Sequence, residues 1–174
     1  MGRDIVALDD LTVNNVGTFQ KINEVVLPSR YDAAWYQEAV TPGQITKLAF
    51  YAEIPVGAIK ARAFNNTHKI SSLESLLRFQ LPSKNIPNAI YIESFAVLEK
   101  YRGLGIGSKL LNYVIEETKS RFIHEIYIHV HVDNKEAIEW YLKKGFVKKD
   151  EVIKDYYKSL EIPNPDAYIM TLAV

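Results

Sequence analysis

Two kinds of hydrophobic periodicity run along the chain, and each predicts a different element. Over 126–132 apolar residues alternate strictly with tyrosine and histidine, which is the pattern of a half-buried strand. From Ile106 to about Lys119 the apolar residues recur three or four positions apart, which is the pattern of an amphipathic helix. Applied to the whole chain, the two patterns predict seven strands and four helices.

Capping and breaking residues place the boundaries of these elements. Thr12 and Asp32 are the predicted N-caps of the first two helices, Asn134 caps the last one together with Asp133, and Gly145 ends it. The predicted strands are about 4–8, 48–52, 56–64, 90–97, 126–132, 152–158 and 167–172, and the helices run to about Val26, through Trp35 and Tyr36, to about Lys119, and through Leu142. The order β-α-α-β-β-β-α-β-α-β-β predicts one mixed α/β domain over 1–174.

Residues 65–89 break this pattern and are predicted to be an inserted loop. They are polar, contain Pro82 and Pro87, and show no strand-like alternation. Within them Ser71–Glu74 resembles a capping box, which favours a short helix. Because the segment lies between two strands, we predict that it forms a lid or a partner-docking element, with plain disorder as the alternative.

Composition limits the function classes that the chain can serve. Lys+Arg and Asp+Glu number 21 each, so the formal net charge is zero and the basic surplus typical of nucleic-acid-binding proteins is absent. The lack of cysteine excludes disulfides, thiolate catalysis and cysteine-ligated zinc. There is neither a signal-peptide pattern nor an apolar run of about 20 residues. We therefore expect a cytoplasmic protein that binds neither nucleic acid nor membrane.

Three of the eight glycines stand in one turn, at positions 103, 105 and 107, between a predicted strand and a predicted helix. Helix N–H groups favour a phosphate at such a place, and glycine lets the backbone approach it. A tight connection that binds nothing is the alternative. Two familiar phosphate motifs do not fit, because Ser108 stands where the dinucleotide-binding pattern needs glycine and Leu110 stands where a P-loop needs Ser or Thr.

Two motifs resemble those of the GNAT superfamily of N-acetyltransferases. One is Arg102-x-x-Gly105-x-Gly107, which is similar to the pyrophosphate loop of that superfamily. The other is Asn134-x-x-Ala137-x-x-x-Tyr141-x-x-x-Gly145-Phe146. The resemblance implies the GNAT fold, a central mixed twisted sheet flanked by helices, and acetyl-CoA as co-substrate with no metal.

The same resemblance implies which residues bind acetyl-CoA. Asn134 and Tyr141 would face the pantetheine arm and the thioester, although an N-cap and a core tyrosine are the alternatives for these two. The implied acetyl-CoA-binding residues are Phe95, Ala96, Val97, Arg102, Gly103, Leu104, Gly105, Ile106, Gly107, Ser108, Asn134 and Tyr141.

Shorter stretches resemble one family within the superfamily, the catalytic subunits of N-terminal acetyltransferase E (the N-alpha-acetyltransferase 50 family). These stretches are Leu27–Tyr31, Tyr91, 126–130 and 156–158, and the resemblance covers the chain except 65–89. It implies an enzyme that acetylates the α-amine of protein N-termini, with Tyr91 and His129 as general base through an ordered water. It also implies nascent chains as substrates, and the catalytic and auxiliary subunits of N-terminal acetyltransferase A at the ribosome as partners. The implied acceptor-binding residues are Leu27, Pro28, Ser29, Tyr31, Glu93, Tyr156 and Tyr157.

The residues alone leave several chemical roles open. Tyr91 and His129 are predicted to point from adjacent parallel strands towards the carboxyl end of the sheet, and an imidazole accepts a proton at neutral pH. His131 shares a strand face with His129 and competes for that role; the two histidines lack the third ligand that a zinc site needs. Glu93 stands where the family commonly has an apolar residue, and three roles are open for it: it recognises the amine, it acts as an alternative base, or it is simply solvated.

The apolar and aromatic character of the acceptor-binding set predicts a preference for Met followed by a hydrophobic residue. A lysine or small-amine acetyltransferase is the second reading, since the acetyl-CoA motifs are common to both. The third is a weakly active GNAT-fold scaffold subunit of a larger N-terminal acetyltransferase complex. Intact Arg102, Gly105 and Gly107 argue against the third reading, because a scaffold needs no phosphate loop.

Overall fold

The computed structural model describes residues 5–66, 72–73 and 86–174, which form seven strands and four α-helices in the predicted order. The strands are β1 Val6–Asp9, β2 Ile45–Tyr51, β3 Ile54–Phe64, β4 Ala89–Val97, β5 Glu125–His131, β6 Val147–Ile153 and β7 Ala167–Ala173. The helices are α1 Val16–Val26, α2 Ala33–Ala39, α3 Ile106–Ser120 and α4 Lys135–Lys143, with short 3-10 turns at Glu99–Tyr101 and Lys158–Leu160. The sheet order is β1-β2-β3-β4-β5-β7-β6, and the predicted mixed α/β class is confirmed.

The chain groups into two compact units, the first drawn from Met1–Arg62 and Ile92–Glu117 and the second from Ala63–Tyr91 and Thr118–Val174. The single domain over 1–174 stays a prediction. None of the helices in the described residues is long and apolar enough to cross a membrane.

In the first unit, β1, β2 and β3 form antiparallel pairs, with a register shift at Ala49/Phe50. The interior is aromatic on the helical side, where Phe19 of α1 lies 6.0 Å from Trp35 of α2, measured between ring centroids. Gly57 of β3 lets α3 approach closely, because a Cβ there would stand only 3.1 Å from the Leu110 side chain. Glycine at this position therefore sets how near the helix after the glycine-rich turn lies to its strand.

In the second unit, β5 is parallel to the start of β4 and antiparallel to β7, which in turn pairs with β6. Strand β5 alternates buried and half-buried residues, as its sequence predicted. The predicted caps of α4 are confirmed. The Asn134 side chain accepts the N–H of Ala137 at 3.2 Å, and Gly145 has a positive φ of 98° just after the helix.

The bounds of α1 and β6 differ from the predicted ones. Helix α1 begins at Val16, because Thr12 starts a preceding turn in which its own N–H donates to the Asn15 side chain at 2.7 Å. The predicted strand 152–158 is instead β6 at Val147–Ile153, since Asp155 adopts a left-handed φ of 59° that an extended strand cannot contain. Most of the predicted insertion, including all but Ser72 and Leu73 of the predicted short helix at 71–79, lies outside the described residues.

Candidate active site

The glycine-rich turn lies in the first unit, between β4 and α3. Gly103 and Gly105 have positive φ values of 77° and 82°, a conformation that side-chain-bearing residues rarely adopt. Apart from its chain neighbours, a Cβ at either glycine would meet no heavy atom of the described residues within 4 Å, so this face of the backbone is open. The Lys109 N–H donates to the Gly105 carbonyl at 3.1 Å, and the N–H groups just before it belong to the helix's first turn. The arrangement fits a pyrophosphate.

Arg102 joins this turn to the end of β4. Its Nε donates to the Val97 carbonyl at 3.1 Å, and the next N–H along the strand, that of Leu98, donates to Val56 of β3 at 2.8 Å. The strand end is therefore fixed on both sides immediately before the turn. Of the remaining predicted acetyl-CoA residues in this unit, Ala96, Val97 and Ile106 are buried, Phe95, Gly107 and Ser108 are half-buried, and Leu104 is exposed.

The second unit contains a hydroxyl–imidazole trio, which consists of Tyr91 on β4, His129 on β5 and Tyr156 in the turn after β6. The Tyr91 hydroxyl bonds His129 Nδ1 and lies 3.0 Å from the Tyr156 hydroxyl. The rings of Tyr156 and His129 stack with centroids 4.1 Å apart and planes at 12°. The structure thus brings the two residues implied as the base into contact, and it adds Tyr156, which was implied to bind the acceptor.

The trio allows one consistent chain of hydrogen-bond donors and acceptors. Burial raises the pKa of the Tyr156 hydroxyl well above its usual value, and the nearby hydroxyls of Tyr91 and Tyr157 act in the same direction. Tyr156 therefore keeps its proton at neutral pH and is able to donate it to the Tyr91 oxygen. Tyr91 is then able to donate its own proton to His129 Nδ1, which puts the proton of a neutral imidazole on Nε2.

His131 has a different environment from His129. Its Nε2 lies 2.6 Å from the Asn164 carbonyl, and its Nδ1 accepts the Asp133 N–H at 3.1 Å. Both ring nitrogens therefore contact backbone groups, one just after β5 and the other, at Asn164, just before β7. These contacts favour His129 over His131 as the proton acceptor.

Tyr157, Asn134 and Tyr141 also lie in the second unit. The Tyr157 ring packs edge-on against Tyr156 with centroids 4.8 Å apart, and burial raises the Tyr157 pKa. Tyr141 is buried against Phe146, with ring centroids 5.1 Å apart, and burial likewise raises its pKa. Asn134 caps α4 as described above. The structural roles considered for Asn134 and Tyr141 are thus present, and their acetyl-CoA-binding roles stay predictions.

Glu93, in the first unit, belongs to a charged cluster that also contains Lys60, Arg62 and Glu38. The Glu93 carboxylate pairs with the Lys60 ammonium, lies 3.2 Å from Arg62 Nε, and has a side chain only 1% exposed. Glu38, which is 37% exposed, lies 3.5 Å from both cations. Of the three roles left open for Glu93, the solvated one is wrong, because two cations on β3 hold its carboxylate in the interior.

Sequence reasoning missed Lys60 and Arg62. Lys60 is fully buried, and its Nζ lies 5.0 Å from the centroid of the Trp35 ring. Burial lowers the pKa of Lys60 to about 7, an effect that the Glu38 carboxylate opposes. The available signal was the spacing, because two cations two residues apart share one face of a central strand.

The remaining residues implied to bind the acceptor surround the start of α2 in the first unit. Tyr31 donates its hydroxyl to the Glu93 carbonyl at 3.0 Å and stacks on Trp35 with centroids 3.9 Å apart. Ser29 is buried, Leu27 is half-buried and Pro28 is exposed. Tyr31 and the Glu93 backbone are therefore brought together, whereas Pro28 offers an open apolar surface.

Comparisons with known proteins identify the family of the chain. The model of the acetyltransferase (GNAT) family matches residues 18–146. N-alpha-acetyltransferase 50 of Danio rerio is 31% identical over 166 residues, which cover 95% of this chain and 86% of the relative. An N-alpha-acetyltransferase of Saccharolobus solfataricus is 33% identical, with 97% and 93% covered. The structure of Arabidopsis thaliana Naa50 in complex with the bisubstrate analogue CoA-Ac-MVNAL is similar at a TM-score of 0.78 and 33% identity, covering 98% of this chain and 99% of that one. The chain therefore belongs to the acetyltransferase (GNAT) family and is an N-acetyltransferase.

Proposed function

We propose that this enzyme transfers acetyl from acetyl-CoA to the α-amine of protein N-termini that begin with Met followed by a hydrophobic residue. The observation that carries the proposal is the hydroxyl–imidazole trio, in which two buried tyrosines and a half-buried histidine provide the hydrogen-bond donors and acceptors needed to remove one proton from an amine. The family relatives named above are N-alpha-acetyltransferases, and one of them was solved with an acetylated peptide joined to CoA.

Acetyl-CoA supplies the activated acetyl group as a thioester. Gly103, Gly105 and the first N–H groups of α3 would hold its pyrophosphate, and Arg102 would be fixed beside them by the Val97 carbonyl. The negative phosphates are favoured there by the positive end of the helix dipole. Asn134 and Tyr141 are proposed to contact the pantetheine arm, as the family resemblance implies.

The trio provides a path for the proton that the amine must lose. The Tyr91 oxygen accepts this proton, while the hydroxyl proton of Tyr91 passes to His129 Nδ1. Tyr156 donates its O–H to the Tyr91 oxygen throughout and so stabilises any negative charge that develops there. An ordered water between the amine and Tyr91, as in the family that the chain resembles, extends this path by one step.

The basicity of the acceptor favours α-amines over lysine side chains. An α-amine with a pKa near 8 is about one-tenth neutral at pH 7, whereas a lysine near 10.4 is neutral only about once in 2,500 molecules. The trio of Tyr91, His129 and Tyr156 contains no carboxylate that would assist the harder deprotonation of a lysine side chain. A base made of tyrosine and histidine therefore suits the easier amine.

The charged cluster supports an apolar second residue in the acceptor. Lys60 and Arg62 already balance the Glu93 carboxylate, whose side chain is 1% exposed, so it offers little attraction to a basic residue. Leu27, Pro28 and Tyr31 provide apolar and aromatic surface instead. Binding to the subunits of N-terminal acetyltransferase A at the ribosome and a cytoplasmic location stay predictions from the family resemblance.

A peptide panel with acetyl-CoA tests this function. Peptides that differ only at position two, Met-Leu against Met-Lys, should differ in kcat/KM by about 10- to 200-fold in favour of Met-Leu, the range expected for one apolar contact. An N-terminally blocked peptide with a free lysine reports the alternative lysine activity. Gly105→Glu is the control, because bulk and negative charge in the phosphate loop should abolish turnover of every peptide.

The outcomes separate the candidate functions. A Met-Lys peptide that exceeds Met-Leu would overturn the apolar preference and make Glu93 a specificity residue. Acetylation of the blocked peptide alone would support a lysine acetyltransferase. Binding of acetyl-CoA without turnover of any peptide would support a scaffold subunit.

A further inference from the structure

Leu73, from the segment that the sequence predicts to be an insertion, contacts the backbone of the trio. Its N–H donates to the Tyr156 carbonyl at 3.0 Å, and its side chain is buried, with 4% exposed. These two residues are far apart in the chain, yet both belong to the second unit. A buried amide–carbonyl bond of this kind fixes the two backbones against each other.

The two ends of the segment are joined independently of this contact. The Asn66 N–H donates to the Asn88 side chain at 2.9 Å, and the Asn88 amide donates back to the Asn66 side chain at 2.9 Å. Asn66 also donates to the Tyr127 hydroxyl on β5 at 3.3 Å. Asn66 and Asn88, at the two ends of the segment, are thus hydrogen-bonded to each other, and Asn66 is also bonded to the sheet. Leu73 makes a separate contact at Tyr156.

Tyr156 is held by its side chain as well as by its carbonyl. Its hydroxyl bonds Tyr91 and its ring stacks on His129. On either side of it, the Asp155 N–H donates to the Asp166 carboxylate at 2.9 Å and the Tyr157 N–H donates to the Pro165 carbonyl at 2.8 Å. The bond from Leu73 therefore acts on a short turn whose position fixes one member of the trio.

We propose that Leu73 is a positioning residue for the reaction, holding the Tyr156 backbone so that the Tyr156 hydroxyl reaches Tyr91. The proposal rests on the proposed function, because it assigns the segment a task in the same proton path. Catalytic efficiency falls steeply when reacting groups are displaced. Loss of the hydrogen bond from Leu73 to the Tyr156 carbonyl would let the turn at Tyr156 move, and this is enough to weaken catalysis. Leu73 then supports the proton path through the Tyr156 backbone without itself contacting the reacting atoms.

Leu73→Pro and Leu73→Ala form a matched pair, because proline lacks the N–H and alanine keeps it. Leu73→Pro should lower kcat with a Met-Leu peptide by about tenfold, the scale of one hydrogen bond. Its KM for acetyl-CoA should stay at the parent value. Leu73→Ala should retain most of the parent kcat.

A double-mutant cycle shows whether the effect passes through Tyr156. In a Tyr156→Phe background the hydroxyl is already absent, so adding Leu73→Pro should lower kcat no further. A Leu73→Pro variant with the parent kcat, or effects that multiply in the double variant, would overturn the proposal.

Hydrogen exchange of the Leu73 amide gives a test that does not depend on the variants folding. In the parent protein this amide should exchange far more slowly than an open backbone amide, and rapid exchange would refute the contact. The kinetic assays also distinguish failure of this inference from failure of the proposed function. If the parent acetylates no N-terminal peptide, the proposed function fails; if the parent turns over and Leu73→Pro matches it, only the role of Leu73 fails.

Discussion

In the charged cluster, Lys60 and Glu93 are almost fully buried and each finds partners of opposite sign. In the hydroxyl–imidazole trio, Tyr91, His129 and Tyr156 meet through hydroxyl groups and an imidazole, with no carboxylate or ammonium between them. Both sets consist largely of buried polar side chains, with Glu38 and His129 partly exposed, and each set lies within one compact unit.

The difference between the two sets indicates which of them is suited to proton transfer. In the charged cluster, each charge balances another in the interior, so removing Lys60 or Glu93 weakens the pairing of the charged groups that stay behind. In the trio, a proton is able to move between hydroxyl and imidazole while the hydrogen-bonded contacts stay in place. We therefore expect perturbation of the charged cluster to change stability, and perturbation of the trio to change turnover.

The largest expected effect is on the free energy of unfolding when Glu93 is replaced. Glu93→Met leaves the buried Lys60 ammonium with the more distant Glu38, and should cost about 3–5 kcal/mol. The double variant Lys60→Met/Glu93→Met should recover much of this loss, because a packed apolar pair often substitutes for a buried ion pair. Urea unfolding at pH 6 measures the free energy of unfolding of both variants, since Lys60, with a pKa of about 7, is then charged. A double variant as unstable as Glu93→Met would remove the basis of the comparison.

The second expected effect is on kcat when the trio is altered. Tyr91→Phe and His129→Ala should each lower kcat by roughly 10²-fold or more, because each interrupts the path of the proton. The rise in Tm on adding acetyl-CoA should persist in both variants, since the phosphate loop is untouched. Steady-state kinetics and thermal melts check the two parts separately. An unaltered kcat in both variants would transfer the role of base to His131 or Glu93.

The smallest expected effect is a loss of stability at high pH. Burial raises the pKa values of Tyr141, Tyr156 and Tyr157, so the folded protein keeps protons that the unfolded chain releases above about pH 10. This stabilisation is fully present below the unfolded pKa and is lost as the pH rises towards the folded values. Tyr156→Phe should reduce the slope of unfolding free energy against pH by up to about 1.4 kcal/mol per pH unit. Urea titrations at several alkaline pH values measure this slope, and equal slopes in parent and variant would contradict the shift.

Local patterns in the sequence were enough to predict the order of the elements and several of their ends. Asp32 caps α2 by accepting the Trp35 N–H at 2.9 Å, as its position before an apolar stretch predicted. The turn at Asp155 was missed because a left-handed residue within an otherwise strand-like stretch depends on the bonds around it, including that to the Asp166 carboxylate.

The site was predictable where a motif is local and less so where partners are distant in the chain. The glycine-rich turn and the pairing of Tyr91 with His129 follow from short stretches with a family pattern. The environment of Glu93 depends on Lys60 and Arg62, more than 30 positions earlier, and the tie between Leu73 and Tyr156 spans a still longer interval. Such contacts come from strand order and packing, which no local periodicity contains.

The pair formed by Lys60 and Glu93 also restricts the route by which such a chain evolves from an ancestor with apolar residues at both positions. If the carboxylate arises first, Arg62 Nε at 3.2 Å already neutralises it, and the intermediate stays viable. If the lysine arises first, a fully buried ammonium depends on Glu38, a partly exposed carboxylate 3.5 Å away. The accessible order is glutamate and then lysine, and once both are present the glutamate is not lost alone, since that would leave the buried lysine with Glu38 only. Position 93 is thereby constrained, because any replacement of the glutamate must follow or accompany a replacement of Lys60.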